Sequence, residues 1–239
     1  MMAGMLYAAI AALGDLAGGL VVIRSPFARS RRGLAVLTGF GAGFMLAVAL
    51  LGMLPEAFAL KGGFTIVLAG YLIVHLTQHA LTPHFHFGEE THDDAMTSRR
   101  IGVWALVGLL PHSFFDGVAI SSGFLASPEL GLLIFGAILL HKVPTGVSLA
   151  SVMLASGNNP WRAFNAVGTM GLATVAGGIL TPWIPPLANW GLPLAAGVTI
   201  YVAASNLIPE SQHEHSSAVQ AAVFAGVVVY YLLTLVLPH

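Results

Sequence analysis

The sequence predicts an all-α fold: a polytopic membrane protein with eight transmembrane helices in a 3+2+3 inverted-repeat arrangement. Three observations predict it. Only 8% of the 239 residues are charged and 56% are hydrophobic, whereas a soluble domain carries about 25% charged residues. Eight apolar runs approach the roughly 20 residues that cross a bilayer. Two pairs of short motifs recur in helices that run in opposite directions. The whole chain, 1–239, reads as one transmembrane domain. Its formal charge of -1 gives no reason to expect nucleic acid as a partner. The absence of cysteine excludes disulfides and thiolate ligands.

Taken in order, the runs cover about 2–23, 34–60, 63–82, 101–125, 129–156, 162–182, 190–210 and 217–237. The first resembles a signal peptide in hydrophobicity alone, since its positive charges follow the apolar stretch, and it is expected to stay as a span. Joints rich in Arg, Pro or polar residues separate the runs. Arg24, Arg29, Arg31 and Arg32 fall between helices 1 and 2, Arg99 and Arg100 end the joint before helix 4, and Arg162 follows helix 5. In an eight-helix chain these joints share one side, and the opposite joints contribute only Lys61. The positive-inside rule puts the arginines in the cytosol and both termini outside. A cell membrane is expected, and the compact joints suggest a bacterial inner membrane.

Helix 2 ends in Leu54-Pro55-Glu56 and helix 7 in Ile208-Pro209-Glu210. Helices 4 and 5 each hold a Leu-Leu followed by His-x3-Asp/Thr-Gly: His112 to Gly117 and His141 to Gly146. Repeats of opposite orientation are the architecture of many transporters, whose sites lie at the midplane where the repeats meet.

His112 and Asp116 stand at i and i+4 and share a helix face, as do His141 and Thr145. Packed together, the two faces present two imidazoles, a carboxylate and a hydroxyl. That donor set suits Zn²⁺ or a similar divalent ion. Ionisable groups at this depth are costly and mark function. The alternative is a polar cluster that only glues the two helices. Pro144 removes the hydrogen-bond partner of the Leu140 carbonyl, which either kinks the helix or frees an oxygen.

These segments resemble the helix 4 and helix 5 signatures of the ZIP (Zrt/Irt-like) metal-ion transporters, here as a variant with His-Lys-x-Pro on helix 5. Eight helices, external termini, the His-containing joint and the hydrophobic-Pro-Glu endings extend the resemblance over nearly the whole chain. It implies transport of Zn²⁺ as substrate, or Fe²⁺, Mn²⁺ or Cd²⁺, towards the cytosol, with no cofactor required and commonly as a homodimer. It also implies a first metal site on His112, Asp116, His141 and Thr145. Second-site positions fall on Ser113, Lys142 and Thr174, where an amine and hydroxyls replace the family's stronger ligands. One ion per pore is therefore expected. Lys142 is expected to pair with Asp116 when metal is absent and to oppose the ion by roughly 7 kcal/mol at ~5 Å.

Further residues are expected along the pathway. Asp15 would line its inner half, Glu56 the outer vestibule, and Glu210, His213 and His215 the cytosolic end. His75, His79, His84, His86 and His92 lie in or before a His- and acid-rich segment, 83–100, read as an auxiliary cytosolic metal-binding loop. The competing class is an intramembrane zinc hydrolase, which would need a general base and a lipid gate. The residues supply no base other than Lys142, so an enzyme is not expected.

Overall fold

Long apolar segments in lipid must satisfy their backbone groups internally, and the described residues do so with helices. The computed structural model describes residues 2–24, 31–80, 99–209 and 216–236. Helix α1 spans Met2–Arg24. Helix α2 runs through Arg31–Ala47, a π-helical turn Val48–Met53 and a closing segment Leu54–Ala59. Then come α3 (Gly63–Ala80), α4 (Arg99–Ala126) and α5 (Pro128–Ala155). Helix α6 is Pro160–Leu180, followed by a 3₁₀ turn, and α7 is Pro185–Tyr201 with a π-helical turn Val202–Leu207. Helix α8 is Ser217–Val236. Among the described residues seven helices are long and apolar enough to cross a membrane, and the apolar part of α3, Gly63–Gln78, is shorter.

The joints follow from local chemistry. Ser127 caps α5 by accepting from Leu130 N at 3.1 Å, and Asn159 caps α6 by accepting from Arg162 N at 2.8 Å. Each is followed by proline at the first helical position, where no N–H is missed. Gly62 and Gly157 take left-handed φ values of 84° and 81°, which only glycine adopts at little cost. Pro111 and Pro144 lie inside α4 and α5, which stay helical through them.

The inverted repeat is built into the packing. The close partners of the first half recur in the second: α1 on α5 matches α6 on α4, α2 on α8 matches α7 on α3, and α2 on α5 matches α7 on α4. Glycines make the closest approaches and keep a constant register. A Cβ on Gly117 would run into the Thr174 carbonyl, and one on its counterpart Gly146 into that of Asp15. Gly177 meets the Phe114 carbonyl as Gly18 meets that of Val143, and Gly197 meets Val67 as Gly43 meets Val223. Without a hydrophobic drive between helices in lipid, such small-residue contacts bring the backbones together.

The π turns are a second mark of the repeat. Pro55 and Pro209 supply no N–H, and their rings crowd the carbonyl four residues back. The residue before each bonds five residues back instead: Leu54 N to Ala49 O, and Ile208 N to Ala203 O. Helices α1, α4, α5 and α6 share a core around Val22, Leu109, Val147, Met153, Val167 and Met170. A larger cluster ties α2, α3, α7 and α8 to the other ends of α1, α4 and α5.

Candidate metal centre

Helices α4 and α5 cross where their histidines face each other. The His112 and His141 rings have centroids 5.3 Å apart and are tilted by 44°. Asp116, one turn beyond His112, places Oδ2 3.4 Å from His112 Nε2 and 3.3 Å from His141 Nε2. One donor atom from each residue lies within 4.8 Å of the others, and all three side chains are buried. A tetrahedral site with metal–ligand bonds of ~2.0–2.1 Å has ligand–ligand edges of about 3.3–3.4 Å. Two edges already have that length.

Backbone contacts orient the donors. His141 Nδ1 lies 3.3 Å from the Ala137 carbonyl, which can only accept. We therefore assign the proton to Nδ1, which leaves the Nε2 lone pair for a metal. Thr145 Oγ1 donates to the His141 carbonyl at 2.8 Å, so only its lone pairs would be available to a metal. His112 Nδ1 and Ser113 Oγ are buried with no hydrogen-bond partner among the described residues.

Lys142 is fully buried beside this set. Its Nζ lies 3.0 Å from Asp116 Oδ2 and 3.1 Å from Asp15 Oδ2, and it donates to Thr174 Oγ1 at 2.7 Å. Three oxygens from α1, α4 and α6 thus surround one ammonium. Asp116 Oδ2 is thus shared between the ammonium and the two imidazoles. The repeat relates the residues two by two: His112 to His141, Asp116 to Thr145, Ser113 to Lys142, and Thr174 to Asp15. Lys142, the counterpart of Ser113, therefore places an amine between Asp116 and the Asp15–Thr174 pair. So engaged, it does not offer the free base that hydrolysis would require.

The remaining expected residues are placed as follows. Asp15 is fully buried, with Oδ2 3.1 Å from Lys142 Nζ beside the centre. Glu56 is exposed in the closing segment of α2. His75 is exposed on α3 with its ring edge on Tyr201 at 5.8 Å. His79 is in α3, and its side chain, like Glu210, His213, His215, His84, His86 and His92, lies outside the described residues.

Sequence reasoning missed two buried residues, one beside the centre and one behind it. Asn206, in the π turn of α7, borders His112 and Thr145, and its Nδ2 donates to Gln78 Oε1 at 3.1 Å. Their signal was present: a carboxamide just before Leu-Ile-Pro-Glu, and another between His75 and His79, both inside apolar runs.

The family described as ZIP Zinc transporter matches residues 75–234. The zinc transporter ZIP13 of Pongo abelii is 31% identical over 153 residues, covering 58% of this chain and 45% of the relative. Human ZIP13 is 30% identical over 161 residues, covering 57% of this chain and 42% of that protein. The zinc transporter YKE4 of Saccharomyces cerevisiae is 21% identical over 213 residues, 75% of this chain and 62% of YKE4. This chain spans less than half the length of the ZIP13 relatives it matches.

Proposed function

The chain belongs to the ZIP zinc-transporter family, and from that premise we propose that it carries divalent transition-metal ions across a membrane towards the cytosol. The observation that carries this reading is the meeting of His112, Asp116 and His141 at the spacing of a first-row ion, buried midway along two antiparallel spans. Two imidazoles and one carboxylate, with Thr145 as a weak fourth donor, suit zinc best, and Fe²⁺, Mn²⁺ and Cd²⁺ compete for the same donors. ZIP13 and YKE4 are zinc transporters, which supports zinc as cargo.

One ion passes at a time, because Lys142 and Thr174 stand where a second would need anionic ligands. Direction rests on the arginines of the α1–α2, α3–α4 and α5–α6 joints, which mark the cytosolic side and leave both termini outside. Compact joints favour a bacterial inner membrane, and the functional unit is a homodimer as in the family. Access alternates as the α1–α4–α5–α6 bundle rocks against α2, α3, α7 and α8. The apolar core that α1, α4, α5 and α6 share around Val22, Leu109, Val147 and Val167 supports their moving together.

Uptake of radioactive zinc by proteoliposomes containing the full chain tests the proposal. Uptake above empty vesicles, lost in His112→Ala, is expected. Absence of uptake refutes transport, and full uptake by His112→Ala refutes the centre.

A further inference from the structure

The seam between α1 and α6 opens on the outside of the molecule as a groove of about 470 Å³, within the roughly 300–1,000 Å³ of an ordinary ligand site. Its rims, Leu13 and Leu172, are 60% and 69% exposed, which in spanning helices means that they face lipid. Small residues leave the room. A Cβ on Gly168 would find nothing nearer than Leu16 Cδ2 at 3.8 Å. The register that makes Asp15 and Thr174 counterparts also pairs Ala9 with Gly168, Ala12 with Gly171 and Leu13 with Leu172, all of them walls. A Cβ on Gly171 would lie 3.4 Å from that of its counterpart Ala12, so the repeat axis crosses the groove at their level. That axis lies in the plane of the membrane, which sets Ala12 and Gly171 at its middle.

Away from these pairs the groove is one-sided. It continues along α6 past Phe164, Asn165 and Thr169, whose counterparts on α1, Met5, Leu6 and Ile10, are all apolar. Thr169 donates its hydroxyl to the Asn165 carbonyl at 2.8 Å, leaving the exposed Asn165 carboxamide as the polar group that an occupant meets. Arg162 follows on the same stripe, one turn nearer the end of the helix. It stands about 13.5 Å of helix from Gly171, close to half of the ~30 Å hydrocarbon core. Arg24 joins it there. Gly19 packs on Val167, and Arg24 lies as far beyond Gly19 as Arg162 lies before Val167, so the two exposed arginines end level on antiparallel helices. Trp161, 70% exposed, stacks on Phe164 with centroids 6.1 Å apart, the placing of an interfacial tryptophan.

We propose that this groove binds one anionic phospholipid from the leaflet on the side of the arginine-bearing joints. The phosphate sits between Arg162 and Arg24, the Asn165 carboxamide meets the ester region, and one acyl chain lies along the small residues of the seam. From Phe164 to Val175 the groove follows about 16.5 Å of helix, which is the half-thickness that one leaflet's chain fills. The charge at a single end selects this occupant. An anionic head on an apolar tail answers it, whereas a second apolar helix would leave both arginines without a partner. Two walls, Leu16 and Val175, directly follow Asp15 and Thr174, so the bound chain packs on the turns that hold Lys142.

The test reconstitutes the full-length chain in phosphatidylcholine vesicles with Trp161 as its one tryptophan, through Trp104→Phe, Trp183→Phe and Trp190→Phe. Phosphatidylglycerol or phosphatidylcholine brominated on its acyl chains is titrated in, and quenching of the indole fluorescence is read. An arginine near the surface gives about a fivefold preference for an anionic lipid. With two, phosphatidylglycerol should reach half-quenching at a mole fraction at least about tenfold below that of phosphatidylcholine. Arg162→Gln should cut the preference about fivefold. Gly168→Leu, which fills the groove, should cut it at least about threefold with both arginines in place. A chain that keeps Trp183 alone, beyond the other end of α6, should show a preference of no more than about twofold. Equal quenching of Trp161 by the two lipids would overturn the proposal. A preference untouched by Gly168→Leu would reduce the site to surface attraction and overturn it as well. Quenching by neither lipid, as when a second copy of the chain covers the face, would do the same.

Discussion

Removing the buried ammonium should make the centre bind its ion more tightly. The perturbation is Lys142→Met with Asp15→Asn, which deletes a charge pair without leaving a bare carboxylate. A Zn²⁺ held ~2.0–2.1 Å from Asp116 Oδ2 lies at most about 5.1 Å from Lys142 Nζ, given the 3.0 Å ion pair. At ~4.5 Å, and an effective dielectric of about 20, a double and a single positive charge repel by about 7 kcal/mol. Asp15, one 3.1 Å contact further on, stands up to ~8 Å from the ion and returns about 4 kcal/mol. The difference, about 3 kcal/mol, predicts roughly a hundredfold tighter zinc binding in the double variant. Competition against a chromogenic chelator in detergent measures it, and the same titration should give one ion per wild-type chain. Tight binding slows release, so liposome uptake should fall in KM and in maximal rate together. Unchanged or weaker affinity would refute the idea that Lys142 opposes the ion.

Asp116→Asn should lower zinc affinity by more than about a hundredfold, beyond the range that loss of a supporting outer-shell group produces, because Asp116 contacts both imidazoles. Chelator competition reads it directly, and retained affinity would place the ion elsewhere. Gly146→Ala should destabilise the chain by about 1–3 kcal/mol, since its Cβ meets the Asp15 carbonyl. Thermal unfolding in detergent should show a fall of at least about 2 °C. Gly41→Ala is the control: its added Cβ finds nothing nearer than 3.7 Å, and it should leave the midpoint unchanged or raise it.

Hydropathy marked out the helices because a membrane segment must reach about 30 Å with every backbone group satisfied, and those limits act on composition and length; among the described residues seven meet them and the apolar part of α3 is shorter. The predicted run 34–60 and the described α2, ending at Ala59, agree for that reason. His112, Asp116 and His141 were also legible, since i and i+4 share a face whatever the surroundings. So was the pairing of Lys142 with Asp116, because a buried ammonium next to a carboxylate has few other options.

What only the tertiary structure decided was which remote residues complete the centre. Asp15 and Thr174 reach Lys142 because glycines at 146 and 117 bring α1 and α6 onto α5 and α4. Asn206 turns towards His112 only through a π turn whose cause, Pro209, lies three residues further along. Periodicity assigns side chains to faces within one helix; it cannot say which faces of different helices meet. In this molecule that choice rests on backbone contact at glycines, and it separates a lone His–Asp–His set from a centre that also carries its own cation.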